Sequence, residues 1–198
     1  MTDTPAQPAQ PLAYERGSVN LNPPGVSLLD LLKEDFATHG RDPLEQGFWA
    51  VAVHRYGNWR MGVQPKPLRL PFSLLYKLLY KVVEWTCGIS LPYTVPLGRR
   101  VRIWHHGGMI LHAARIGDDV HIRQNTTFGV ARRDENHAIP TIEDRVDVGC
   151  GACILGGITV GHDSVIGANA VVVRDVPPHS VAAGVPAKVV KTLEPVRD

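Results

Sequence analysis

The stretch IGDDVHIRQNTTFGV, Ile116 to Val130, places apolar residues at Ile116, Ile122 and Phe128. An amphipathic helix repeats about every 3.6 residues and a half-buried strand every second residue, so neither explains a spacing of six. The spacing extends both ways. Upstream it gives Leu97, Ile103 and, after a one-residue slip, Ile110; downstream, after a gap, it resumes at Ile142, Val148, Ile154, Val160, Ile166 and Val172.

Four residues after most of these positions the side chain is small or β-branched, as at Val101, Val120, Thr126, Ala152, Ser164 and Ala170. Gly often follows directly, as at Gly117, Gly129, Gly149, Gly161 and Gly167. This is the pattern of a solenoid of very short strands. Each six-residue unit supplies one flat side and one corner, the apolar residue points to the axis, and the small residue fits the corner. Each coil buries its core only against its neighbours, so several must stack. The glycines are expected at bends that need unusual backbone angles. A sandwich of short strands would instead alternate with a period of two inside each strand.

The first half reads as helical. SLLDLLKEDFATHG has Leu28, Leu31, Leu32 and Phe36 at helical spacing, with Ser27 as cap and Gly40 as stop. In RDPLEQGFWAVAVHRYGNW, Asp42 suits an N-cap, Pro43 the first helical position and Glu45 a capping box. A third helix is expected from about Leu70 to Trp85, ending near Gly88. The expected class is α+β: a flexible arm over 1–25, a helical domain over 26–88, a β-helix of hexapeptide repeats over 89–191 and a tail over 192–198.

The chain has 198 residues, 44% of them hydrophobic, and a net charge of +2, which gives no electrostatic case for nucleic acid. The N-terminus is polar, and the most apolar stretch is interrupted by Lys77, Lys81 and Glu84, so no signal peptide and no membrane span are expected. With three cysteines, Cys87, Cys150 and Cys153, a reducing cytoplasmic setting is the simplest reading. Cys150 and Cys153 read as small residues on coil faces, and the basic stripe of the third helix as a solvated face. His112, His121, His162 and His179 read as surface or turn residues.

Repeat proteins carry function where the repeat is interrupted. One interruption is VARRDENHAIPT, which holds His137. The slip lies in IWHHGGMILH, which holds His105, His106, Gly107, Gly108 and His112. A His pair beside Gly-Gly at a register defect points to chemistry, since neutral imidazole suits general-base work near pH 7.

The hexapeptides, HHGG, the loop ending in HAIPTI and the tail IGANAVVVRDVPPHSVAAGVPAKVV together resemble the serine O-acetyltransferase family of left-handed β-helix acyltransferases. The RDP and GFWAVAVHRYGNW segments extend the likeness over about residues 27–191. The resemblance implies a cytoplasmic homotrimer with active sites between subunits, acetyl-CoA as donor, L-serine as acceptor, a role in cysteine biosynthesis and no metal. It implies His105 as the base on the acceptor hydroxyl, His137 as a second active-site His, and Asp42, Trp104 and His106 as substrate-binding residues. It sets the coenzyme along Gly129, Cys150, Ala168, Gly184 and Lys188. Assembly beyond the trimer would run through the helices.

The chain departs from the family at three places. Trp104 stands where the family has an Asp before the base. Ser90 stands where it has a carboxylate that orients the base, a task that Glu84 or Asp134 can take over. Asn136 stands where an Arg often precedes the second His. A sugar hydroxyl or amine, as in surface polysaccharide synthesis, is the alternative acceptor. A non-catalytic trimeric scaffold is the second alternative. A metal hydratase would need three convergent imidazoles, drawn from His105, His106, His112 and His137.

Overall fold

The computed structural model describes residues 17–134 and 137–194, with three helices preceding a coil of short strands. Helix α1 (Leu28–Thr38) starts as its sequence asks: the Ser27 hydroxyl accepts the Asp30 N–H at 3.2 Å. It ends in a Schellman motif. Gly40, at φ +74, donates to Ala37 O at 3.1 Å, and Arg41 donates to Phe36 O at 2.9 Å. Helix α2 spans Gln46–Trp59, and helix α3 spans Arg69–Cys87, stopped by Gly88 in the left-handed region.

One expected start is displaced. Asp42 does not cap α2; its Oδ1 accepts the Leu44 N–H at 2.8 Å in a local turn. The helix begins at Gln46, and Glu45 at the cap position makes no side-chain cap bond. A short Asp side chain satisfies the nearest free amide, which here lies in a turn before the helix.

The strands form a left-handed parallel β-helix of three faces. The first face stacks Ile89–Ser90, Met109–Leu111, Thr127–Gly129, Cys153–Leu155 and Val171–Val172. The second stacks Arg115–Ile116, Thr141–Ile142 and Thr159–Val160. The third stacks Arg102–Trp104, His121–Arg123, Asp147–Val148, Val165–Ile166 and Ser180–Gly184, closed by the antiparallel strand Ala187–Thr192. The six-spaced residues form the axial core, with Ile103, Ile122, Val148 and Ile166 stacked on one face.

Ile110 is the exception, 52% exposed, while Met109 and Leu111 on either side are buried. Leu111, not Ile110, stacks on Phe128 and Ile154. The slip therefore has two parts. Eight residues separate Ile103 from Leu111, two more than the repeat, and five separate Leu111 from Ile116, one fewer. The two extra residues fall in the corner that carries HHGG.

Gly117, Gly149, Gly161 and Gly167 of the repeat serve close approach rather than unusual angles. A Cβ on Gly149 would sit 2.6 Å from Ala168 N and 2.7 Å from Ile166 O in the next coil. The left-handed conformations fall instead on Arg100, Asp119, Arg145, Asp163 and His179 along one edge, and on His105, Asn125, Gly151 and Asn169 along another.

Buried polar groups join the helices to the first coil. Arg55 is wholly buried. It donates to Asp35 Oδ2 at 2.9 Å, to Leu97 O at 2.9 Å and to Gly98 O at 2.6 Å. His54 Nε2 donates to Val95 O at 2.8 Å, and Asn58 Nδ2 to Tyr93 O at 2.8 Å. His39 Nδ1 donates to Asp35 O at 2.7 Å while its Nε2 accepts the Ile103 N–H at 3.3 Å. Gly47 lets α2 rest on the coil, since a Cβ there would lie 2.3 Å from Ile103 O. Residues 1–16 of the expected arm lie outside the described residues. Its described part is tied to the first coil and α2, with Gly17 O accepting from Tyr93 Oη at 3.1 Å and Leu21 N–H donating to Asn58 Oδ1 at 2.9 Å.

Candidate active site

His105 follows the strand Arg102–Trp104 and opens the enlarged corner at φ +62. His is among the residues that tolerate this region, though at some cost in strain. The corner is pinned from the helical side. Gly107 N–H donates to Cys87 O at 3.1 Å and Met109 N–H to Gly88 O at 2.9 Å. From the next coil, Asn125 N–H donates to Gly107 O at 3.1 Å. A side chain on Gly88 would meet Gly107 Cα at 3.1 Å, so the end of α3 lies tight against the corner. His105 and His106 both face solvent.

Trp104 is anchored from the strand, its Nε1 donating to His121 Nδ1 at 3.2 Å. The Arg102 guanidinium lies 3.5 Å from the centre of the Trp104 ring, a close cation–π pair. Positive charge therefore occupies the strand that leads into His105.

Beside the corner lies a cleft of about 290 Å³ lined by Glu84, Gly88, Ser90, Gly108, Met109 and Ile110, among others. Ser90 Oγ donates to Glu84 Oε1 at 3.1 Å and lies 2.8 Å from Tyr80 Oη. Burial works against the Glu84 charge, yet bonds from Lys81, Ser90 and Tyr80 hold its carboxyl below the usual value. A carboxylate thus reaches the site at one remove from Ser90. The sequence offered Glu84 as a substitute; Tyr80 and Arg102 carried no signal, because their roles depend on the stacking of α3 and of the strand.

The corner between the third and first faces forms one edge of the prism. His105, Cys150 and Ala168 all lie on it, at different levels of the coil. Its backbone is continuous through bonds from Asn125 to Gly107 O, Gly151 to Gln124 O and Asn169 to Cys150 O. Gly129 ends a first-face strand in open space, and a methyl group placed on its Cα would have no neighbour within 4 Å. Gly184 and Lys188 lie in the terminal hairpin, Lys188 exposed and opposite Ala183. Cys150 and Cys153 are free and half-buried on the coil.

The other expected groups stand apart within one chain. His137 is exposed in the loop after Gly129, its carbonyl accepting from Ile139 N–H at 3.1 Å. Asn136 lies outside the described residues. Asp42 is exposed in its turn before α2. Among the described residues, no hydrogen bond joins His105, His106, His137 and Asp42 to one another.

On the edge between the second and third faces, donor atoms of His162, Asp163 and His179 lie within 4.8 Å of one another. Arg145 takes both oxygens of Asp163, at 2.6 and 2.7 Å, and His162 Nδ1 lies 2.7 Å from Oδ2. The guanidinium fills the role of the cation, and the group is an ion-pair ladder.

No family model matches the chain. The chain is 36% identical over 152 residues to the serine acetyltransferase of Mycobacterium tuberculosis, covering 75% of this chain and 62% of that one. It is 33% identical over 165 residues to the serine acetyltransferase of Bacillus subtilis, covering 81% and 76%. It spans from about half to three quarters of the length of the curated relatives it matches. Among solved structures it resembles the Neisseria gonorrhoeae serine acetyltransferase, with TM-score 0.70, 27% identity and coverage of 85% and 67%. It also resembles a soybean serine acetyltransferase complexed with serine, with TM-score 0.69, 29% identity and coverage of 83% and 70%. A serine acetyltransferase in complex with CoA matches with TM-score 0.67, 25% identity and coverage of 90% and 83%. With a third of 165 aligned residues identical to a relative of which it covers 76%, the chain belongs to the serine acetyltransferase family.

Proposed function

We propose that the chain transfers an acetyl group from acetyl-CoA to the hydroxyl of L-serine, with His105 as general base. The observation that carries this reading is the enlarged corner: two extra residues push His105 out of the repeat, on the same edge that carries Cys150 and Ala168. The solved relatives complexed with serine and with CoA support the choice of acceptor and donor. His105 takes the proton of the acceptor hydroxyl as its oxygen attacks the thioester carbonyl carbon. Backbone N–H groups in the Gly-rich corner are suited to the oxyanion. The C–S bond then breaks, and the imidazolium returns its proton to the departing thiolate. An unactivated hydroxyl is a poor nucleophile, and a positioned base contributes about two to four orders of magnitude.

In this reading the coenzyme lies along Gly129, Cys150, Ala168 and Gly184, with Lys188 as a point charge for a phosphate. His137, Asp42, His106 and Trp104 complete the acceptor pocket. Their separation within one chain fits a homotrimer in which the site forms between subunits. The product would feed cysteine synthesis in the cytoplasm. No helix among the described residues is long and apolar enough to cross a membrane.

A neutral sugar hydroxyl is the second acceptor to test, because Arg102 and Trp104 place a cation and an aromatic ring beside the base instead of a carboxylate. The test is release of coenzyme A from acetyl-CoA with L-serine, homoserine and common nucleotide sugars. His105→Ala is expected to lower turnover at least about a hundredfold while calorimetric binding of coenzyme A survives. Unchanged turnover removes His105 as base. Coenzyme binding without turnover on any acceptor supports the scaffold alternative.

A further inference from the structure

Helix α3 buries one face, with Tyr76, Val83 and Cys87 against α2 and the first coil, and leaves the other bare. On the bare face Leu70, Leu74 and Leu78 are each more than half exposed, Val82 is 43% exposed and Trp85 is 80% exposed. These side chains recur about once per turn, so they form one continuous stripe along the helix. Lys77 and Lys81 flank the stripe on one side, and both are exposed. The helix holds one acid, Glu84, whose oxygens are engaged by Lys81 and Ser90.

We infer that this face of α3 lies on an anionic lipid surface. The stripe is long enough for a helix lying in the headgroup plane, and no helix among the described residues can span a bilayer. Leucines and a terminal Trp on one side with lysines at the flank match an apolar boundary bordered by negative headgroups. A second copy fits the same face less well. Two such stripes laid together would carry Lys77 of each copy to the seam, and the one carboxylate on each helix, Glu84, is already held by Lys81 and Ser90. The C-terminal end of α3 holds the Gly107–Gly108 corner, so lipid contact would set His105 beside the surface. The inference is independent of the proposed chemistry.

The test is co-sedimentation of the full chain with phosphatidylcholine vesicles, and with vesicles in which about a third of the lipid is phosphatidylglycerol. At least tenfold tighter binding to the anionic vesicles is expected, weakening with salt, together with a blue shift of Trp fluorescence that Trp85→Phe removes. Leu74→Glu with Leu78→Glu should abolish binding, and Lys77→Gln should weaken it several-fold; circular dichroism checks that these surface variants keep the fold. No sedimentation with either vesicle, or equal binding by the Leu74→Glu and Leu78→Glu variant, overturns the inference. A loss of oligomer mass in that variant, without lipid binding by the parent chain, assigns the face to a second copy instead and also overturns it.

Discussion

Ser90 Oγ donates a 3.1 Å hydrogen bond to Glu84 Oε1, across the turn that joins α3 to the first coil. The hydroxyl occupies the position at which the resemblance implies a carboxylate, and the charge sits one bond further away on the helix. A base that takes a proton becomes an imidazolium, which a nearby carboxylate steadies. Glu84 is the carboxylate in the cleft beside the His105 corner. Glu84→Gln is therefore expected to lower kcat about tenfold, well short of loss of the base itself, with the KM for acetyl-CoA unchanged. Ser90→Asp in the same background should restore most of the rate. The pH dependence of kcat distinguishes the two roles: a structural defect leaves the profile in place, whereas loss of the carboxylate moves it.

Gly149 and Gly129 occupy equivalent places in the sequence pattern yet predict opposite outcomes. A methyl group on Gly149 meets backbone of the next coil at 2.6 to 2.8 Å, which cannot move without prying the coils apart. Gly149→Ala should cost about 1–3 kcal/mol in urea denaturation. Gly129→Ala has open space and should stay within about 0.5 kcal/mol. With the coenzyme passing over Gly129 as proposed, the second variant raises the KM for acetyl-CoA on an otherwise stable protein.

The pattern of six was legible because it expresses a stacking requirement that every coil repeats. The glycines were legible as positions but not in their cause, since approach between coils 18 residues apart, as from Gly149 to Gly167, leaves no mark on either local sequence. Ile110 misled for a similar reason: a net slip of one residue conceals an insertion of two and a deletion of one, and only the pairing of Leu111 with Phe128 separates them. His105 stood out in the sequence as a candidate base because it sits at that defect. The Arg55–Asp35 pair was invisible. The two lie on different helices, and the carbonyls of Leu97 and Gly98 that make burial of Arg55 tolerable lie further along the chain, in the first coil.

The buried histidines of that junction make stability depend on pH. Burial pushes His54 down to about 3, the neighbouring Arg55 charge adding to the effect. Burial also lowers His39, whose Nε2 must stay unprotonated to accept the Ile103 N–H. The His54 ring is neutral in the folded protein near pH 6, whereas an unfolded imidazole gains protons below about pH 6.5. The unfolded state thus binds more protons as pH falls. Stability is retained above about pH 6.5 and lost on descent toward about 3 for His54, at up to about 1.4 kcal/mol per pH unit for that ring, and His39 acts in the same direction. Urea midpoints at about pH 7 and pH 5, on either side of the unfolded imidazole value, measure it. His54→Gln should be less stable near neutrality but show a shallower fall; an unchanged slope would remove His54 from the cause.

Under the proposed chemistry, Trp104 would discriminate between acceptors. Its ring holds the Arg102 guanidinium at 3.5 Å, in the strand that ends at His105. A serine approaching the base brings an ammonium, and on this side it meets the Arg102 cation. A sugar hydroxyl brings no charge and gains an aromatic surface. Trp104→Asp reverses both conditions: the new carboxylate pairs with Arg102 or with the ammonium, and the ring is gone. For serine the expected result is a rise in kcat/KM of about tenfold, equivalent to about 1.4 kcal/mol of transition-state stabilisation, appearing mainly in KM because the ammonium takes no part in the chemical step. For a sugar acceptor the same change should lower kcat/KM through loss of stacking. Parallel assays of coenzyme A release on both acceptor classes read the two effects separately. A fall on serine would mean that the ring itself shapes the serine pocket, and the electrostatic account of this departure would be wrong.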